Sequence, residues 1–153
     1  KASVLQVLTK ASYTNCEPVR NFFDRKFEEG QRSFIVDFAK CTSVDSTFLG
    51  ILVRLALSLR NAEDSGRLAL VNLTGRNLET VKNLGIHRIA EISSHSVENN
   101  DELEALGNNG VNDSACSETI YDAHKTLMNL NTKNLRMFCD VVSFLEQDLD
   151  NNK

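Results

Sequence analysis

Two neighbouring stretches decide the fold: Ser33-Phe34-Ile35-Val36-Asp37-Phe38 and, a few residues on, Val44-Asp45-Ser46-Thr47-Phe48-Leu49-Gly50. The first is a short apolar run of the kind expected for a strand covered on both faces. The second opens a strongly apolar helical run, Phe48 to Arg60. An acid followed by adjacent hydroxyls at the start of a helix is a capping pattern, because side-chain oxygens there accept from the free N–H groups of the first turn. The same pattern keeps hydroxyls near the surface, where they form an accessible phosphorylation platform. Hydroxyls alone favour plain capping. The flanking strand, Leu49 and Gly50 raise a regulatory switch above it, and no other segment competes.

Working outward, strands and helices alternate. Ser3 to Thr9 reads as a strand. Thr14 and Glu17 form a potential capping box, with Pro18 in the first turn, where its missing donor costs least. Val19, Phe23 and Phe27 then give a helix its inward face, and Gly30 stops it. The second helix spans about Thr47 to Asn61 and ends before Asp64-Ser65-Gly66. Leu68 to Leu73 is a further strand, Leu78, Val81 and Leu84 mark a short helix closed by Gly85, and Arg88 to Ile92 is a last weak strand. Such alternation implies an α/β domain with a mixed, mainly parallel sheet flanked by helices and right-handed crossovers.

That domain is expected to occupy residues 1–92. Residues 93–117 are rich in asparagine, serine and acids, which predicts a mobile polar linker with at most a turn of helix around Leu103 to Leu106. Residues 118–150 are helical again. Leu135, Phe138, Val142, Leu145 and Leu149 alternate steps of three and four, and Tyr121, His124, Met128 and Asn131 continue the register with poorer residues. Thr132 as a cap would divide this extension into two helices rather than one. The extension is expected to fold back on the domain, with a homodimer seam through the same helix as the alternative.

On a helical wheel, Phe48, Ile51, Leu52, Leu55, Ala56 and Leu59 gather toward the sheet. Val53 and Leu57 point the other way, beside Gly50 and Arg54. Apolar residues on a polar face mark either a partner surface or the seat of the C-terminal helix. Phe48, Gly50, Val53 and Leu57 are therefore candidate partner-binding residues. Asp37, interrupting a buried strand, is expected at the strand end with hydrogen-bond partners, supporting the Asp45-Ser46 loop.

The chain has 153 residues and a net charge of -4, which argues against nonspecific nucleic-acid binding. No apolar run approaches the ~20 residues needed to span a bilayer, so no membrane insertion is expected. No signal-peptide pattern opens the chain, and Lys1 reads as a truncated or processed start. The four cysteines are scattered and form no CxxC pair. They read as reduced thiols in a cytoplasm. His87, His95 and His124 lack ligand spacing, so neither a metal nor another cofactor is expected.

The segment Phe34 to Arg60, with Ile35-Val36-Asp37-Phe38 followed by Asp45-Ser46-Thr47-Phe48-Leu49-Gly50, resembles the STAS domain, the sulphate transporter and anti-sigma factor antagonist module. Leu70-Val71-Asn72-Leu73 and Leu84-Gly85-Ile86 are similar to it too. The likeness is closest to the stand-alone bacterial anti-sigma factor antagonists. It implies that Ser46, with Thr47 as the alternative, is the phosphoacceptor of an anti-sigma factor serine kinase, supported by Asp37 and Asp45. The unmodified protein would bind that kinase and so free a sigma factor. Phe48 stands where the family pattern has glycine; it either alters the kinase's approach or packs inward.

Enzyme signatures are absent: there is no Walker loop, dinucleotide fingerprint, HExxH or GxSxG. The reading is a non-enzymatic signal-transduction phosphoprotein acting in transcription regulation. The alternative is a STAS scaffold without a phosphorylation cycle, in a signalling assembly or as a transporter accessory.

Overall fold

The computed structural model describes residues 1–94, 104–107 and 113–152. Its elements are β1 (Ser3–Gln6), β2 (Lys10–Ala11), α1 (Glu17–Glu28), β3 (Ser33–Asp37), β4 (Ser43–Val44), α2 (Ser46–Asn61), β5 (Arg67–Val71), α3 (Gly75–Asn83), a 3-10 turn (Ile86–Arg88), β6 (Glu91–Ser93), α4 (Ser117–Met128) and α5 (Thr132–Asn151). The main sheet has the order β1-β3-β5-β6, all parallel, and β2 pairs with β4 in a separate short ladder.

Register explains the burial. Leu5, Val36, Leu70 and Ile92 lie side by side across the sheet, and one row away sit Ser3, Phe34 and Leu68. Phe34, Val36 and Leu70 are at most 1% exposed, whereas Ile35 and Ala69 between them are only half-buried. Strands added in sequence order by right-handed crossovers put their helices on one side. The expectation that β3 is covered on both faces is thus corrected: alternation along it follows the pleat, and one face carries the core.

The expected capping box before α1 is also corrected. Cys16 occupies the N-cap and no side chain caps the helix. Glu17 instead reaches across to the C-terminal extension. Its Oε2 accepts from the Cys116 N–H at 3.1 Å and the Thr119 hydroxyl at 2.9 Å, while Arg20 donates to Oε1 at 2.7 Å. Glu17 therefore serves as a clip at the start of α4.

The extension divides in two, as one of the sequence readings has it, but Asn131 rather than Thr132 is the cap, its side chain accepting from the Asn134 N–H at 2.8 Å. The α4–α5 hairpin folds back onto the domain. Leu127 is fully buried and Phe138 and Val142 nearly so, and burying each such side chain, within the hairpin or against the domain, stabilises the arrangement by roughly 1.5–3 kcal/mol. A second polar clip lies at the hairpin turn. Gly85 ends α3 at φ 80°, a left-handed position suited to glycine, and leaves the Leu84 carbonyl free. That carbonyl accepts from Asn131 Nδ2 at 3.2 Å and Asn134 Nδ2 at 2.9 Å. Residues 104–106, where at most a turn of helix was expected, are irregular. The remainder of the expected mobile linker falls largely outside the described residues.

The Glu17 clip makes a pH prediction. Burial pushes its carboxyl up, but the Arg20 guanidinium, the Cys116 N–H and the Thr119 hydroxyl together outweigh that and hold it below its ordinary 4.5. A carboxylate with a depressed pKa contributes stability that is fully present above the ordinary value and lost as pH falls through the folded one. Urea unfolding should therefore show Glu17→Gln less stable than wild type at pH 7, with the difference narrowing below pH 4.5; a pH-independent difference would contradict this role.

Candidate functional site

The β2–β4 ladder sets the chain at the entrance to α2, where the Asp45 N–H donates to the Ala11 carbonyl at 2.9 Å. Asp45 is the N-cap: its Oδ1 accepts from the Phe48 N–H at 2.9 Å and its Oδ2 from the Tyr13 N–H at 2.7 Å. Sequence left the cap to Asp45 or Ser46. Because Asp45 takes it through Oδ1, with Oδ2 left for Tyr13, the Ser46 hydroxyl is released from the backbone.

Ser46 is the first helical residue and is half-buried. Its Oγ lies 2.8 Å from His124 Nε2 on α4. The ring's other nitrogen, Nδ1, sits 2.7 Å from the Ile120 carbonyl. A carbonyl only accepts, so Nδ1 carries the proton there; in the neutral ring Nε2 is then the acceptor and Ser46 the donor. The imidazole packs edge-on against Phe138, centroids 5.8 Å apart.

Several candidate residues are buried. Thr47 is 4% exposed, so as an alternative phosphoacceptor it faces the interior in this conformation. Phe48 packs inward and is 1% exposed. Gly50 and Val53, on the face read either as a partner surface or as the seat of the C-terminal helix, are buried. The cause at Gly50 is α4, since a Cβ there would lie 2.4 Å from the Ala123 carbonyl oxygen. The two helices meet backbone to backbone. Leu57, one of the four, remains half-buried, in a cleft with Phe27, Arg54 and Thr126.

Asp37 lies at the strand end with partners, as expected. Its Oδ1 accepts from the Ala39 N–H at 3.0 Å and Asn72 Nδ2 at 2.9 Å. It thereby braces the turn after β3 and Asn72, whose φ of 65° is left-handed. These bonds do not reach Asp45 or Ser46 directly. Beneath the site, Cys16 is fully buried, and burial, followed by the charges of Glu17 and Asp45, pushes its thiol up to about 12, leaving it unreactive. Among the described residues no group of three or more His, Cys, Asp and Glu could hold a metal ion.

Sequence reasoning passed over His124 and Glu17 as site residues. A histidine in the register of an amphipathic helix was the available signal for the first. Nothing local marked the second.

A family model, the STAS domain, matches residues 2–99. The chain belongs to the STAS domain family. None of the curated proteins compared matches the sequence significantly. Among solved structures, that of the anti-sigma factor antagonist SpoIIAA in its unphosphorylated form is similar at 15% identity and a TM-score of 0.47, over 63% of this chain and 81% of that one. The α4–α5 hairpin lies beyond the residues matched by the STAS model. No helix among the described residues is long and apolar enough to cross a membrane.

Because Asp45 caps α2 and also holds Tyr13, Asp45→Ala should lower the unfolding free energy by about 1–2 kcal/mol, with secondary structure retained. Denaturant titration followed by circular dichroism checks this; unchanged stability would mean that the cap contributes nothing.

Proposed function

We propose that this STAS protein is a non-enzymatic, cytoplasmic bacterial regulator, an anti-sigma factor antagonist that works by partner switching. The unmodified form binds an anti-sigma factor serine kinase, and a phosphate on Ser46 ends that binding. The observation that carries the reading is the division of labour at the start of α2. Asp45 supplies the cap, so Ser46 can be modified without removing a bond that the helix needs. A phosphate of nearly -2 charge at a helix N-terminus is favoured by the local dipole, so the domain should stay folded. Its effect falls on the partner surface, where a doubly charged group resists desolvation. Of the adjacent hydroxyls, the half-buried Ser46 supports the reading better than the buried Thr47.

The second reading, a STAS scaffold without a phosphorylation cycle, in a signalling assembly or beside a transporter, is favoured by one observation: α4 lies over Ser46. A homodimer through α5 would use its outer side, where Met137, Val141 and Phe144 are exposed.

Incubation with ATP and the ATPase-type anti-sigma kinases of the same genome, followed by phosphopeptide mass spectrometry, separates the two. Partner switching predicts modification at Ser46 that Ser46→Ala abolishes, and at least tenfold weaker kinase binding by Ser46→Asp than by Ser46→Ala. Equal binding by both variants would favour the scaffold.

A further inference from the structure

Ser46, Gly50, Val53 and Leu57 follow one another at helical spacing and form a single stripe along α2. The structure sets α4 on that stripe. Ser46 Oγ is bonded to His124 Nε2, one turn on Gly50 meets the Ala123 backbone with no room for a Cβ, and beyond it Val53 is fully buried. The stripe belongs to the STAS domain; the helix that covers it lies outside the residues that the family model matches.

We propose that the α4–α5 hairpin is an intramolecular cover over the Ser46 face of α2, closed by the Ser46–His124 hydrogen bond and displaced when a phosphate stands on Ser46. The proposal rests on the reading of Ser46 as phosphoacceptor and adds the regulation of that site.

Steric exclusion comes first. An oxygen 2.8 Å from Nε2 leaves no volume for a tetrahedral phosphoryl group between them. At Gly50 the two backbones are already in close contact, so α4 makes room for that group by moving away from α2. In phosphorylation, Ser46 Oγ forms a bond to the γ-phosphorus of ATP as the bond to ADP breaks, and the hydroxyl proton passes to the kinase's base or to water. Both the approach and the product require α4 to have moved. By linkage, whatever opens the hairpin makes Ser46 easier to modify, and modification holds the hairpin open by the same free energy.

The fixings of the hairpin suit a cover that releases. Its ends are held by polar clips, Glu17 at the start of α4 and the Leu84 carbonyl at the turn. Asn134 is fully buried in the docked hairpin, yet its Oδ1 has no hydrogen-bond partner among the described residues. That unmade bond favours undocking, since water would satisfy the oxygen.

Hydrogen–deuterium exchange of the full chain tests this without a kinase. Ser46→Glu places a larger anionic group at the latch, and Gly50→Ala forces the helices apart without touching Ser46. In both variants, amides of residues 117–128 should exchange at least tenfold faster than in wild type, while those of β3 and β5 keep their rates. Ser46→Ala, which loses the latch bond but adds neither bulk nor charge, should exchange faster than wild type and slower than Ser46→Glu. Unchanged α4 exchange in Ser46→Glu overturns the proposal. So does acceleration of sheet and hairpin together, which would make the hairpin an integral part of the fold. If α4 opens in Ser46→Glu but no kinase modifies Ser46, the cover stands and the phosphoswitch falls. Phosphorylation of Ser46 with α4 exchange unchanged gives the reverse.

Discussion

The contact between Gly50 of α2 and the Ala123 backbone of α4 is the constraint on which the arrangement of the site depends. A Cβ at position 50 would overlap the Ala123 carbonyl. With glycine there, the helices come close enough for α4 to reach the Ser46 hydroxyl with His124, and Val53, one turn beyond Gly50 on the same stripe, is fully buried. A larger residue would hold α4 away, and the stripe from Ser46 to Leu57 would face solvent. The apolar character of that stripe and the presence of a helix to cover it are two sides of one packing solution.

Around this contact the polar groups are distributed with little overlap. Asp45 satisfies the helix start and the Tyr13 amide, Glu17 the start of α4, and the two asparagines of the hairpin turn the exposed end of α3. Each answers a backbone group that a helix terminus leaves open. Ser46 is thereby left with one bond, to a side chain on another helix. A hydroxyl whose only described bond is to a side chain can be modified without dismantling the element that carries it.

Much of the fold was legible because its signals are local. Phe34 to Phe38, the Asp45-Ser46-Thr47 opening and the apolar wheel of α2 each identify their own element, and Gly85 marks its own stop. The site was legible only in part. The wheel located Val53 and Leu57 correctly on the side away from the sheet, but whether that side meets solvent or another helix depends on a segment some seventy residues later. Glu17 shows the same limit. Within its own segment it fits a capping box, and only the docked α4 N-terminus, with unpaired N–H and hydroxyl groups to offer, draws it away. His124 carries no local pattern of a latch, because its partner is 78 positions distant. Pleat alternation overrode the two-sided burial read from the unbroken apolar run of β3, since a one-directional strand order with right-handed crossovers sends the crossover helices to one face and Ile35 and Ala69 on the other stay half-buried.

The direct test of the central claim, that α4 sits on Ser46 through His124 in the free protein, is a double-mutant cycle between Ser46→Ala and His124→Ala, read from urea unfolding of the full chain. A hydrogen bond of this kind predicts a coupling energy of about 0.5–1.5 kcal/mol. Strictly additive losses, with no coupling beyond error, would show that the two side chains do not meet in solution and would contradict the account.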